Sequence, residues 1–287
     1  MREVIYISII LLVLAISTRS HAGTLMVGAK GWYTWWDSAL GDFAAMAADL
    51  SLEEFIVEEG WGSIVDLKSD PKQGSGFLAG PLLSYQTADG NWSTSLAWMG
   101  IGVFSQDADI SAFVDGTFHV ATYDLDLNRS EFDLAISRKI TERFKVFIGC
   151  KYQTMKYTYQ ITYEGLTFDV YKSEATMTIP TLGGGYVHPF SDTMGIGIQG
   201  GLLLVNGTIG YNEKLWPDYG GYENFDFTVG FNGELTFSYM IKQKVILQAG
   251  YRYQTMKLKA GFDSGIKLND TDTFHGLNIS AVYLFDL

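Results

Sequence analysis

The sequence predicts an all-β chain, folded as a closed, antiparallel, up-and-down transmembrane barrel of about ten strands with short periplasmic turns and long extracellular loops. Three observations carry that expectation. Apolar and polar residues alternate with a period of two along several segments, those segments run to ten residues or more, and the connections between them alternate in length.

Alternation is clearest at the C-terminal end. Leu277, Ile279, Ala281, Tyr283, Phe285 and Leu287 fall on one face, with Asn278, Ser280 and Asp286 on the other. Successive side chains of a strand point to opposite faces, so this is a strand with one greasy side. The row Phe225, Phe227, Val229, Phe231, Leu235, Phe237 and Tyr239 repeats the pattern, with Asp226, Thr228, Asn232, Glu234, Thr236 and Ser238 between. Thirty-two glycines, five prolines and 15% aromatic residues fit the same class, because aromatic side chains favour a pleated surface.

A greasy face opposite a polar one suits either a soluble sandwich or a barrel in lipid, and loop lengths decide between them. Strands are expected near residues 24–36, 75–87, 92–104, 127–139, 144–158, 174–188, 195–209, 223–240, 245–259 and 273–287. The short connections are Ala88-Asp89-Gly90-Asn91, Thr141-Glu142-Arg143, Pro189 to Met194, and Ile241 to Lys244, all with turn-forming or charged residues. Between them fall long segments at 37–74, 105–126, 159–173, 210–222 and 260–272. A membrane barrel sorts its connections in this way, short on the periplasmic side and long outside. A sandwich has no reason to, and its strands run to about five or six residues. With an even strand number both termini are expected in the periplasm.

The first residues read as a leader. Arg2 precedes an apolar run from Val4 to Ile16, and Ser20-His21-Ala22 places small residues at −3 and −1 of a cleavage site. The run is short of the ~20 residues that a membrane helix needs. The expected division is therefore a signal peptide at 1–22 and a barrel domain at 23–287, beginning at Gly23. Without the leader, 18 bases face 31 acids, a net charge of −13. So acidic a chain argues against nucleic acid as a partner, since phosphate binding needs clustered Lys and Arg. Cys150 is the sole cysteine, so no disulfide can form within the chain, and it lies far from the leader, where a lipid-anchor cysteine would stand.

Aromatic residues gather at the expected strand ends: Trp32, Tyr33, Trp35, Trp36, Tyr157 and Tyr159 toward the outer rim, and Trp92, Tyr186, Tyr239, Tyr283 and Phe285 toward the opposite one. Amphipathic rings at headgroup level give such belts. The sequence also echoes itself, with Gly149-Cys150-Lys151-Tyr152-Gln153-Thr154-Met155-Lys156 matching Gly250-Tyr251-Arg252-Tyr253-Gln254-Thr255-Met256-Lys257. Two strands meeting the same demands in successive hairpins account for it.

On this alternation, loop sorting and strand count, the whole mature chain resembles the small outer-membrane barrels of Gram-negative bacteria. In strand number it is similar to the ten-stranded members, which include the omptin proteases and an Opc-type adhesin. The resemblance implies assembly by the outer-membrane machinery and contact with outer-membrane lipid and lipopolysaccharide. That class commonly ends in an aromatic residue, whereas this chain ends in Leu287 after Phe285.

If the greasy face meets lipid, the alternate residues line the lumen: Lys30, Arg129, Glu131, Asp133, Lys151, Gln153, Asp226, Glu234, Gln248, Arg252 and Gln254. Of these, Lys30, Arg129, Glu131, Asp133, Lys151, Asp226, Glu234 and Arg252 form the candidate lumen charge network. Both signs occur, and an unpaired charge in such a place is costly, so mutual neutralisation is expected. About eight strands leave an interior that side chains fill, and an aqueous porin needs about sixteen. A ten-stranded lumen with long side chains should be largely occluded. Gly183 to Gly185 and Gly200-Gly201 relieve crowding, and no Lys-Ser or Lys-Thr follows them as a phosphate loop requires.

The long connections hold most of the acid. Asp107, Asp109, Asp115, Asp124 and Asp126, with no base among them, are candidate ligands for divalent cations, although no EF-hand spacing is present. Residues 40–60 show helical spacing at Phe43, Met46, Ala47 and Leu50, with Ser51 and Glu54 as a capping box. For an omptin-like hydrolase, Asp107 with Asp109 and His275 with Asp272 are superficial matches. Ser173, Glu174, His275 and Ser280 are too ordinary to nominate as a lipid-modifying set, and there is no Gly-x-Ser-x-Gly and no His pair at metal-ligand spacing. The expected function is structural or surface-binding, without enzymatic activity or cofactor. A narrow channel for small solutes or ions is the alternative, and a surface hydrolase the second.

Overall fold

β-Branched and aromatic residues alternating with small polar ones commit the chain to extended structure. A computed structural model describes residues 23–37, 67–71, 74–100, 103–114, 117–163, 166–213, 220–261 and 267–287. The expected leader and the expected helix at 40–60 lie outside the described residues. The strands are β1 Thr24–Asp37, β2 Leu67–Pro71, β3 Gly74–Gln86, β4 Trp92–Met99, β5 Val103–Val114, β6 Thr117–Lys139, β7 Phe144–Tyr163, β8 Leu166–Pro189, β9 Met194–Glu213, β10 Gly220–Asn224, β11 Thr228–Ile241, β12 Val245–Gly261 and β13 Lys267–Asp286.

β1 pairs antiparallel with β13 on one side and with β3 on the other, which closes the sheet on itself. The ring runs β1-β13-β12-β11-β9-β8-β7-β6-β4-β3, a barrel of ten antiparallel strands. β5 carries on beyond β4 and pairs with β6, β2 adds to β5, and β10 precedes β11 along β9. Closure leaves no unpaired edge within the ring, the condition for strands to span lipid.

The first and last described residues, Gly23 and Leu287, and the tight turns share one end, the turn end. There β4 starts at Trp92, β6 ends at Lys139, β7 starts at Phe144 and β12 starts at Val245, each where turn chemistry placed it. Gly90 takes a φ of +66°, and the Asp89 carboxylate accepts from the backbone N–H of Asn91 at 3.0 Å. Lys242 and Gln243 have φ of 48° and 56°, as a type I′ hairpin turn requires.

At the other end, the hairpin end, strands outrun the sequence expectation. β6 begins at Thr117 rather than 127, β8 at Leu166 rather than 174, and residues 105–126, expected as a long loop, are largely the β5–β6 hairpin. β8 has 24 residues where a tilted strand crosses hydrocarbon in about 9–11, so it reaches well beyond any bilayer.

The strands invert their amphipathicity on the way. In β7 the outward residues are Phe144, Val146, Ile148, Cys150 and Tyr152, then Thr154, Lys156 and Thr158. Its inward residues are Lys145, Phe147, Gly149, Lys151 and Gln153, then Met155, Tyr157 and Tyr159. β12 turns over after Gln254, with Met256, Leu258 and Ala260 buried inside and Lys257 and Lys259 outside. β9 does so near Val205, and β6 between Leu127 and Arg129. The turn-end half thus has an apolar exterior, with Ile148, Ile198, Leu202, Leu235 and Ile279 all exposed, and a polar lumen. The hairpin-end half has a polar exterior and an apolar core. An apolar girdle on a closed antiparallel barrel is the signature of a membrane span.

This inversion corrects part of the aromatic assignment. Trp32, Trp36, Tyr157 and Tyr159 are buried in the hairpin-end core, not in a lipid-facing belt. Tyr33 on the hairpin side, and Trp92, Tyr186, Tyr239, Tyr283 and Phe285 near the turn end, do face outward.

Candidate functional site: the lumen layers

Charge collects in the lumen at the level of the inversion. β6 supplies Arg129, Glu131 and Asp133, β7 supplies Lys151 and Gln153, β11 supplies Glu234, β12 supplies Arg252 and Gln254, and β1 supplies Lys30. Glu131, fully buried, is the hub. It lies 2.7 Å from Arg129, 3.1 Å from Lys151 and 3.2 Å from Arg252. Lys151 also reaches Asp133 at 2.9 Å, and Lys30 pairs with Glu234 at 3.1 Å. β6 and β12 stand five strands apart in the ring and β1 and β11 three, so the Arg252–Glu131 pair ties opposite parts of the wall together and the Lys30–Glu234 pair joins non-adjacent strands across the lumen. Arg129 and Arg252 donate further to the Gln153 and Gln254 carbonyls at 3.1 and 3.2 Å, and Arg252 Nε donates to Asn232 at 3.3 Å.

The sequence echo lies in this layer. Gly149, Lys151, Gln153 and Met155 match Gly250, Arg252, Gln254 and Met256, all turned inward, and both cations end on the same Glu131 carboxylate. Small residue, cation, amide and thioether give, in ascending order, a cavity wall, an ion pair, its hydrogen-bond partner and the first contact of the apolar core.

Aromatic rings cover the layer on the hairpin side. The Arg129 guanidinium is 4.0 Å from the Phe274 ring centre and 5.3 Å from that of Trp32, and Arg252 is 4.4 Å from Trp32. Such contacts stabilise a desolvated cation that lacks further acceptors. Arg129 Nε and Nη1 have no hydrogen-bond partner among the described residues, and the ring faces take that place. Trp36 stacks on Phe274 at 6.2 Å and 5° and meets Phe104 edge-on, and Tyr157 closes the group. Nothing in the sequence period distinguished Trp32, Trp36 and Phe274 from lipid-facing aromatics.

On the turn-end side the lumen opens into a cavity of about 420 Å³ lined by hydroxyls, amides and charged groups together with apolar side chains such as Leu82, Phe147 and Ile246. Asp133 keeps 37% of its side-chain exposure whereas Glu131 and Arg129 keep none, so solvent reaches the layer from the turn end and stops there.

Of the residues the sequence assigned to the lumen, Asp226 is elsewhere. Asn224 pairs with Thr208 and Thr228 with Val205, so one extra residue bulges out between β10 and β11 and reverses the alternation. Phe225 turns inward, and Asp226 makes an exposed pair with Lys259 at 3.1 Å. The acidic candidates are spread along a hairpin. Asp107 is opposite Asp124 and Asp126 opposite Ser105 on β5 and β6, Asp109 is opposite Thr122, and Asp115 lies outside the described residues. Asp272 and His275 face opposite sides of β13: Asp272 is buried in the lumen, while His275 stacks outside on Trp35 and meets the Tyr251 hydroxyl at 2.6 Å. Ser173, Glu174 and Ser280 do not converge either, since Glu174 pairs outward with Lys156 and Ser280 donates to Gln248 in the lumen.

No protein-family model and no curated protein matches the chain. Solved structures do. The outer membrane protease OmpT of Escherichia coli aligns with a TM-score of 0.47 at 11% identity over 93% of this chain and 98% of that one. The translocator domain of the autotransporter NalP of Neisseria meningitidis gives 0.44 at 11% identity over 99% and 96%. The outer membrane protein OprG of Pseudomonas aeruginosa gives 0.33 at 14% identity over 92% and 97%. All are outer-membrane barrels, and the class follows independently from this chain's own closed sheet and apolar girdle. The chain is an integral membrane β-barrel of ten antiparallel strands. Its specific activity is not carried by likenesses of this depth.

Proposed function

We propose that this barrel is a non-conducting, non-enzymatic component of the outer membrane, in which a sealed membrane base carries a rigid barrel extension as its working surface. The turn end with both termini faces the periplasm in this reading, and the acidic hairpins project outside. One observation carries it: the lumen is crossed by a buried ion-pair layer and, directly above it, by an aromatic core. An ion would have to break lumen-spanning salt bridges and then enter a dry apolar layer. The continuous pairing of β6 to β9 beyond the girdle supports a surface that presents contacts without rearranging.

Planar-bilayer recording on the refolded, heat-modifiable protein tests this. The expected trace is silent, both for the native chain and for Arg129→Ala. A steady, salt-dependent current in the native protein would replace this reading with transport through the lumen.

A further inference from the structure

We infer that the turn-end cavity is a binding site for a small organic anion bearing one or two carboxylates, anchored by Lys145. The observations come from the charge and hydrogen-bond state of its wall. Lys30, Lys151 and Arg252 line the cavity, and each already touches a carboxylate. Lys145 lines it as well, and among the described residues it has no ion-pair or hydrogen-bond partner. The carboxylate that acts on it from a distance, Glu234, is bonded to Lys30.

The hydroxyls beside it are in the same state. Ser93 is paired in register with Ser137, which in turn is opposite Phe147, two residues along β7 from Lys145. Ser93, Ser95 and Ser137 all line the cavity, and their hydroxyls have no partner among the described residues. One ammonium and three uncommitted hydroxyls thus present donors to a shared space, the complement of a carboxylate. Four cations, Lys30, Lys145, Lys151 and Arg252, line the cavity against two carboxylates, Asp133 and Glu234, and in a chain whose formal charge is −12 this local excess of positive charge would draw an anion inward.

Glycines make the room. Gly185 lies opposite Lys145, and a Cβ there would come within 3.1 Å of the lysine Cε, so the lysine stem occupies the space a side chain would take. At Gly197 an added Cβ would meet nothing nearer than 3.8 Å, which leaves that wall open to the cavity. The volume of about 420 Å³ lies in the range of small-ligand sites. Apolar Leu82 and Ile246 on the wall favour a carbon skeleton over a bare inorganic ion.

The test is isothermal titration calorimetry of the full-length folded protein in uncharged detergent, with succinate as probe and dimethyl succinate and inorganic phosphate beside it. Succinate is expected to bind with a Kd of roughly 0.1–1 mM, and dimethyl succinate not to bind. Lys145→Met should weaken succinate about tenfold or more, the loss of one charge-assisted hydrogen bond, while Lys145→Arg stays within a few-fold. Gly197→Phe fills the cavity and should abolish binding with every charge in place. Heat-modifiable mobility confirms that each variant folds, and the native protein with its three probes decides the matter if one does not. Absence of succinate binding, equal binding of the diester, binding of phosphate alone, or an unchanged Lys145→Met titration would each overturn the assignment.

Discussion

Glu131→Gln removes one charge and almost no volume from the centre of the barrel. Three cations, each with 2% side-chain exposure or less, contact that carboxylate, and among the described residues only Lys151 has a second carboxylate in direct contact, Asp133, while Asp272 acts on Arg129, and Asp133 and Glu234 on Arg252, from farther off. Arg129 and Arg252 would be left as buried cations held by amides, ring faces and carboxylates out of contact. Breaking a buried pair by deleting one partner costs about 3–5 kcal/mol, because the remaining charge stays desolvated. Equilibrium urea unfolding in detergent micelles, read by tryptophan fluorescence and by heat-modifiable mobility, measures it. Arg252→Gln in the Glu131→Gln background should cost less than in the native chain, since part of the penalty of the first change is that unpaired guanidinium. Glu174→Gln, which breaks the exposed pair with Lys156, should leave the midpoint where it was. A Glu131→Gln variant within about 1 kcal/mol of the native protein would refute the view that this carboxylate holds the layer together.

Three further outcomes follow from the geometry. Leu202→Arg places a charge on the girdle and should cost about 2–4 kcal/mol in lipid vesicles, whereas Asn206→Arg, four residues along the same outward face of β9, should be near neutral; paired refolding titrations compare them. Gly183→Ala puts a Cβ 2.3 Å from the Gly200 carbonyl oxygen and 2.4 Å from Phe147, so its refolding yield should fall with a loss of roughly 1–3 kcal/mol, while Gly197→Ala refolds normally. Gln243→Gly relieves a left-handed residue in the β11–β12 turn and should raise stability by about 1 kcal/mol, seen as a later urea midpoint.

Turn positions were legible because their chemistry is local: Asp89-Gly90 and the short charged connections determine where strands begin at the turn end. Strand faces at that end were legible for a different reason, since a period of two assigns every other residue once one is known. What the period lacks is a sign. Lys156 and Thr158 alternate with Tyr157 and Tyr159 just as Lys151 and Gln153 alternate with Cys150 and Tyr152, and the pattern does not say which row is inside. Read as lipid-facing throughout, the apolar row at Tyr157 and Trp36 became a belt, and the strand extensions became loops. The bulge at Phe225–Phe227 escaped for a related reason, because one inserted residue leaves the composition of both rows unchanged while reversing them. The echo at residues 149–156 and 250–257 did register the charge layer, as two inward stacks of one kind; that both end on Glu131 depends on a cross-lumen approach that no local spacing encodes.

Inverted patterning has a consequence for how deep the protein lies in its bilayer. A barrel with one uniform greasy exterior could ride up or down in the lipid at little cost, and a strand could slide by two residues and keep every face. Here a slide of two residues moves the crossover by about 7 Å. On β12 it would draw Lys257 toward hydrocarbon in one direction or lift Tyr253 into water in the other. The same shift would carry Met256 into the ion-pair level or Arg252 away from Glu131. Lateral register and vertical immersion are therefore fixed by the same residues, and the chain carries its own waterline.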